Sequence, residues 1–75
     1  MRIVSEIFVS LRGDEEHVLD VLKANGLTGV RILADRIVAK LECKQLAEVY
    51  SKINQIRKIP DVKAVSLFTI QYYAL

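Results

Sequence analysis

A strand, a helix and a strand follow one another twice within 75 residues, and this double rhythm constrains the chain more than any single motif in it. In the first half, Ile3, Ser5, Ile7, Val9 and Leu11 alternate with Val4, Glu6, Phe8 and Ser10, the period-two pattern of a strand with one buried face. Gly13-Asp14 ends that strand. Asp14 suits the N-cap of a helix, and Glu15 and Glu16 place carboxylates against the positive end of its dipole. Val18, Val21 and Leu22 then form an apolar stripe while Glu16, Asp20 and Lys23 face water, until Asn25-Gly26 stops the helix. Val30–Leu33 and Ile37–Leu41 read as two strands joined by a tight turn near Ala34-Asp35.

The second half repeats the plan. From Lys44 to Lys58, Leu46, Val49, Ile53 and Ile56 recur at helical spacing. No Ser, Thr, Asp or Asn stands at the start of this helix, so its first turn lacks a side-chain cap. Pro60 cannot extend the helix and biases Ile59 toward extended geometry. A last strand covers about Val62–Tyr73. The expected fold is therefore α+β: a single ferredoxin-like βαββαβ domain over residues 1–75, with two helices on one face of a four-stranded antiparallel sheet. The usual strand order, 4-1-3-2, makes the second and fourth strands the edges.

That architecture leaves the other sheet face uncovered. Ile3, Ile7, Val9, Ile37, Ala39 and Leu41 are expected to point at the helices, and Val4, Glu6, Phe8, Val38, Lys40 and Glu42 away from them. A bend after Val62 resets the alternation of the last strand, placing Val65 and Leu67 on the helix side and Ala64, Ser66, Phe68 and Ile70 on the open face. The open face is then half apolar, which exposure to water alone does not explain.

Composition narrows the functional classes. Hydrophobic residues make up 52% of the chain, although a domain this small buries only roughly 60% of its unfolded surface; the surplus points to apolar surface kept for a partner. Eleven Lys/Arg against nine Asp/Glu give a net charge of +2. The charges are interspersed, with no helix-turn-helix or RNP-like aromatic motif, so no nucleic-acid partner is expected. Val4–Leu11 is too short and too polar to span a membrane, and no secretory signal pattern opens the sequence. With one cysteine, Cys43, and hence no internal disulfide, the expected location is cytoplasmic and no membrane partner is expected.

Catalytic chemistry is hard to assemble from these residues. His17 falls on the solvent side of the first helix, and Cys43 has neither a metal quartet nor an activating base in the sequence. Asp14-Glu15-Glu16 is accounted for by helix capping, and Gly13, Gly26 and Gly29 are turn glycines, not a phosphate loop. Tyr72-Tyr73 suits either a partner clamp or the end of an edge strand. No catalytic residue, metal ligand or cofactor is expected.

Three segments carry a family resemblance: Ile37-Val38-Ala39-Lys40-Leu41-Glu42, Ile53-Asn54-Gln55-Ile56-Arg57, and Asp61-Val62-Lys63-Ala64-Val65-Ser66-Leu67. Together they resemble the NapD family, cytoplasmic chaperones of the periplasmic nitrate reductase, and the stretch from Val4 to Leu22 falls into step with it. Asp61 stands where that family usually has Gly, and Thr69-Ile70 where it tends to have Tyr-His. The resemblance implies binding of the twin-arginine signal peptide of a molybdoenzyme precursor, which delays export until the cofactor is loaded. Such a receptor needs an apolar surface beside carboxylates. Val4, Phe8, Val38, Phe68 and Ile70 supply the first in this reading, and Glu6 and Glu42 the second. Gly13-Asp14-Glu15-Glu16 and Ile56-Arg57-Lys58-Ile59-Pro60 also resemble the effector domains of Lrp/AsnC regulators and their ACT relatives. That likeness implies a stand-alone amino-acid-sensing (RAM/ACT-like) domain, acting as a homodimer through the open sheet face. A domain whose exposed sheet only drives self-association is a third reading.

Overall fold

The computed structural model describes residues Met1–Ala74. It runs β1 (Arg2–Leu11), α1 (Glu15–Ala24), β2 (Thr28–Leu33), β3 (Arg36–Cys43), α2 (Leu46–Arg57) and β4 (Val62–Tyr73). All strand pairings are antiparallel and the order is β2-β3-β1-β4, with β1 and β3 central and β2 and β4 at the edges. The chain has a ferredoxin-like α+β fold. β2 starts two residues earlier than the apolar pattern predicts, and β3 runs on through Cys43.

Local chemistry explains the element ends. The Asp14 carboxylate accepts from the backbone N–H groups of Glu16 and His17 at 3.0 and 3.3 Å, satisfying two free donors of α1. At the other end Asn25 caps the helix and Gly26 takes a φ of +81°, a conformation that costs glycine little. α2 starts at Gln45 with no side-chain cap, as its sequence predicts. The β2–β3 turn is two residues long, because Leu33 pairs with Arg36. It puts Ala34 at a φ of +52°, a strained position for any residue with a Cβ.

The core lies between the helices and one sheet face. Ile3, Ile7 and Val9 of β1 and Ile37, Ala39 and Leu41 of β3 pack against Val18 and Leu22 of α1 and Val49, Ile53 and Ile56 of α2. Ser5 shares this face, fully buried between Leu41 and Ile70 in register, and its hydroxyl has no hydrogen-bond partner among the described residues. At the α2–β4 corner, the Asp61 carbonyl accepts from the N–H groups of Arg12 and Gly13 at 2.7 and 3.3 Å. The Asp61 carboxylate lies so close that a Cβ on Gly13 would sit 2.2 Å from its Oδ1. The two halves of the repeat are thereby fastened together at one end of the sheet.

β4 differs most from its sequence reading. Its 12 residues pair with the 10 of β1, and the surplus is taken up by bulges at Lys63 and Phe68, where the register shifts. The first bulge is the expected reset, and it leaves Val65 and Leu67 on the helix side opposite Val9 and Ile7. The second shifts the alternation back, so Ile70 pairs with Ser5 and packs against the core. Ile70 is therefore not on the open face, contrary to the sequence expectation; a single inserted residue exchanges the two sides of a strand.

Two substitutions test this packing in opposite directions. Ile53→Ala should destabilise the fold by about 2–5 kcal/mol in chemical denaturation, as a buried large-to-small change does. Ser5→Ala should be neutral or stabilise it by roughly 1 kcal/mol, because it removes a buried hydroxyl that finds no partner. Loss of stability in the second variant would show that the hydroxyl is satisfied in solution.

Candidate binding face

Alternation along β1 and β3 sends Val4, Glu6, Phe8, Val38 and Glu42 to the face away from the helices, and the Phe68 bulge adds its ring to them. Six of the seven residues expected there are thus on one surface; Ile70 is the exception. At its centre the rings of Phe8 and Phe68 stack with centroids 4.7 Å apart and planes 23° apart, an arrangement favoured beyond simple burial. Phe68 remains 58% exposed. Val38 lies beside Phe8 in register and is fully covered, although it is not part of the helix-side core.

Four cations outside the expected site residues shape the surface. Arg31 of β2 reaches across β3 to Glu6 of β1, with Nη2 3.9 Å from Oε2. Arg2 approaches Glu42 at 3.6 Å and lies over the Tyr73 ring at 4.8 Å from its centroid. Arg36 lies over the Phe8 ring at 5.6 Å and approaches Asp35 at 3.6 Å. Lys40, opposite Glu6 in register, has no carboxylate partner among the described residues. The signal for Arg2 was its parity with Val4; that for Arg31 and Arg36 was the hairpin register, which the sequence leaves open.

Both carboxylates meant for a basic ligand are therefore occupied by arginines of the same chain. The pairs are exposed and contribute little to stability. Even so, an incoming arginine must displace one that is tethered nearby at high effective concentration. Beside the ring stack a groove of about 460 Å³ is lined by Arg2, Val4, Glu6, Lys40, Thr69, Gln71 and Tyr73, within the size range of small-ligand sites. It presents both signs of charge and one aromatic ring.

The remaining chemical residues do not join this face. His17 lies at the start of α1 with Nδ1 3.7 Å from the Asp61 carboxylate, at the corner that fastens the two halves. Cys43 is buried at the end of β3. Burial pushes its thiol pKa up, with smaller contributions in the same direction from Glu48 and Glu42 and an opposing one from Lys52. Among the described residues, no three His, Cys, Asp or Glu side chains converge as a metal site. No helix there is long and apolar enough to cross a membrane. No family model, curated protein or solved structure matches the chain.

The thiol gives a pH-dependent test. Its folded pKa lies above the unfolded one, so its contribution to stability is complete below the ordinary thiol range and is lost as pH rises through the folded value. Alkylation of Cys43 at pH 8 should be slow in the folded protein and reach the rate of a free thiol in denaturant. Equal rates in both states would show that the thiol is neither shielded nor shifted.

Proposed function

We propose that this protein is a non-catalytic sensing domain that pairs with a second copy through its open sheet face and takes a small zwitterionic ligand of the amino-acid class. One observation carries the reading: the carboxylates of the face are paired with its own arginines around an exposed ring stack. Such a surface is close to charge balance and apolar at its centre, which suits a self-complementary contact about a two-fold axis. A face four strands wide and about ten residues long spans roughly 600 Å² in projection. A standard interface takes about 800 Å² of accessible surface from each partner, so the face is of the right order.

The groove beside the stack supports the ligand class. Lys40 and Arg2 suit a carboxylate, Glu6 an ammonium group, and Tyr73 an apolar side chain. A cytoplasmic location belongs to the same reading, as does the absence of catalysis.

A second reading is favoured by a separate feature. Phe68 lies on the edge strand β4, so an apolar segment resting on the ring stack would run beside unpaired backbone groups. That is the surface a twin-arginine signal peptide would use, with Val4, Phe8, Val38 and Phe68 contacting its apolar part and Glu6 or Glu42 an arginine.

Calorimetric titration with an amino-acid panel and a synthetic twin-arginine signal peptide, run beside mass measurements across concentration, separates the two. The expected result is a concentration-dependent dimer weakened by about 1–3 kcal/mol in Phe68→Ala or Phe8→Ala, with an amino acid bound and lost in Lys40→Ala. A monomer that binds the peptide, and binds it more slowly as Glu6→Gln, would transfer the assignment to the chaperone reading.

A further inference from the structure

The two edges of the sheet are unlike. β2 is six residues long, carries Arg31, and is irregular in register between Thr28 and Arg31, where Gly29 takes a φ of +56°. These are devices that keep an edge from pairing with another chain. β4 has β1 on one side and no strand on the other among the described residues. From Ala64 to Tyr73 it contains no charged residue, no proline and no glycine. The one bulge within that run, at Phe68, leaves the segment beyond it in regular register with β1 from Glu6↔Thr69 to Arg2↔Tyr73.

We propose that this segment, Thr69–Tyr73, pairs antiparallel with the same segment of a second copy about a two-fold axis at Gln71, joining two sheets into one of eight strands. The sequence is self-complementary in that register. Ile70 meets the mate's Tyr72 on the helix side and Thr69 meets its Tyr73 on the other, so each face gains β-branched–aromatic cross-strand pairs. Four of the five residues are β-branched or aromatic. Gln71 meets its own mate. Its Oε1 already accepts from the Tyr73 hydroxyl at 2.8 Å, which leaves the amide Nε2 to donate to the mate's Oε1 and its second lone pair. No like charges come together, because the segment has none. Tyr72 and Tyr73 are 55% and 42% exposed in the single copy, and the pairing covers part of both.

This contact runs through the backbone edge of β4 and does not depend on the face-to-face pairing proposed above, although the side chains of Thr69, Gln71 and Tyr73 also border the open face. The edge alone gives a dimer; with the face-to-face contact added, the assembly closes into a tetramer when the two axes cross at right angles.

The test combines sedimentation with amide hydrogen exchange. In the wild-type protein, the outward N–H groups of Thr69–Tyr73 should gain protection as concentration rises. Gln71→Lys and Gln71→Glu should each weaken the association by roughly fivefold or more, since like charges then face each other across the axis. An equimolar mixture of the two variants should restore it. Phe68→Ala, which alters the open face, should leave the edge protection in place even if face-to-face pairing is lost. Free exchange of these amides in fully associated protein, a mixture that fails to recover, or a monomer at every concentration would each overturn the proposal. Loss of all edge protection in Phe68→Ala would do so too, by showing that only the face contact exists.

Discussion

The alternation of side chains along β1 is the constraint on which the rest of the molecule depends. Ile3, Ser5, Ile7 and Val9 are essentially without solvent exposure, while Val4, Glu6, Phe8 and Ser10 lie on the other side. Because β1 pairs with β3 on one flank and β4 on the other, its phase dictates which residues of both neighbours reach the helices. A slip of one residue would send Phe8 and Glu6 into the core and leave Ile7 and Val9 in water. The helices are in turn fixed by what this face offers them. α2 rests against β3 and β4 and α1 lies nearer β2, and the Asp61 carbonyl, holding Arg12 and Gly13, fastens the ends of both units.

The same constraint makes the open face. Two helices of 10 and 12 residues cover one side of four strands, and no further element among the described residues covers the other. Apolar side chains that alternation sends outward must therefore be shielded by their neighbours or by a partner. Val38 takes the first course, covered within the face. Phe8 and Phe68 take it in part, by stacking on each other under Arg36, yet Phe68 keeps more than half its surface in water. The arginines that reach over the face spread apolar stems across it while neutralising its carboxylates. The result is a surface that is polar in composition and apolar at its middle, the pattern of a contact patch.

Strand and helix order, edge assignment, the buried stripes of α1 and α2 and the parity of β1 and β3 were legible because each rests on local periodicity. The capping of α1 by Asp14 and the uncapped start of α2 were legible for the same reason. Two features were not. The Phe68 bulge leaves no trace in a run of uncharged β-formers, so Ile70 was placed on the wrong face. The reach of Arg31 over β3 to Glu6 depends on strands adjacent in space and distant in sequence, so alternation places Glu6 on the open face without revealing its partner. Both are tertiary facts, and both bear on function more than on the fold.

The paired bulges of β4 carry a consequence for how this chain can change by insertion and deletion. Lys63 and Phe68 each add one residue to the strand, and the second undoes the inversion made by the first. Val62 and Ile70 therefore face the same layer, with Val65 and Leu67 reaching it in the opposite phase between them. Loss of a single codon at either bulge would remove only the unpaired residue and leave every other side chain of β4 on its present face, in the register it already keeps with β1. Loss of both would leave ten residues in unbroken register with the ten of β1, core and surface unchanged. A lineage that shortens this strand is thus expected to lose the bulge residues themselves, one at a time, before any residue that pairs with β1.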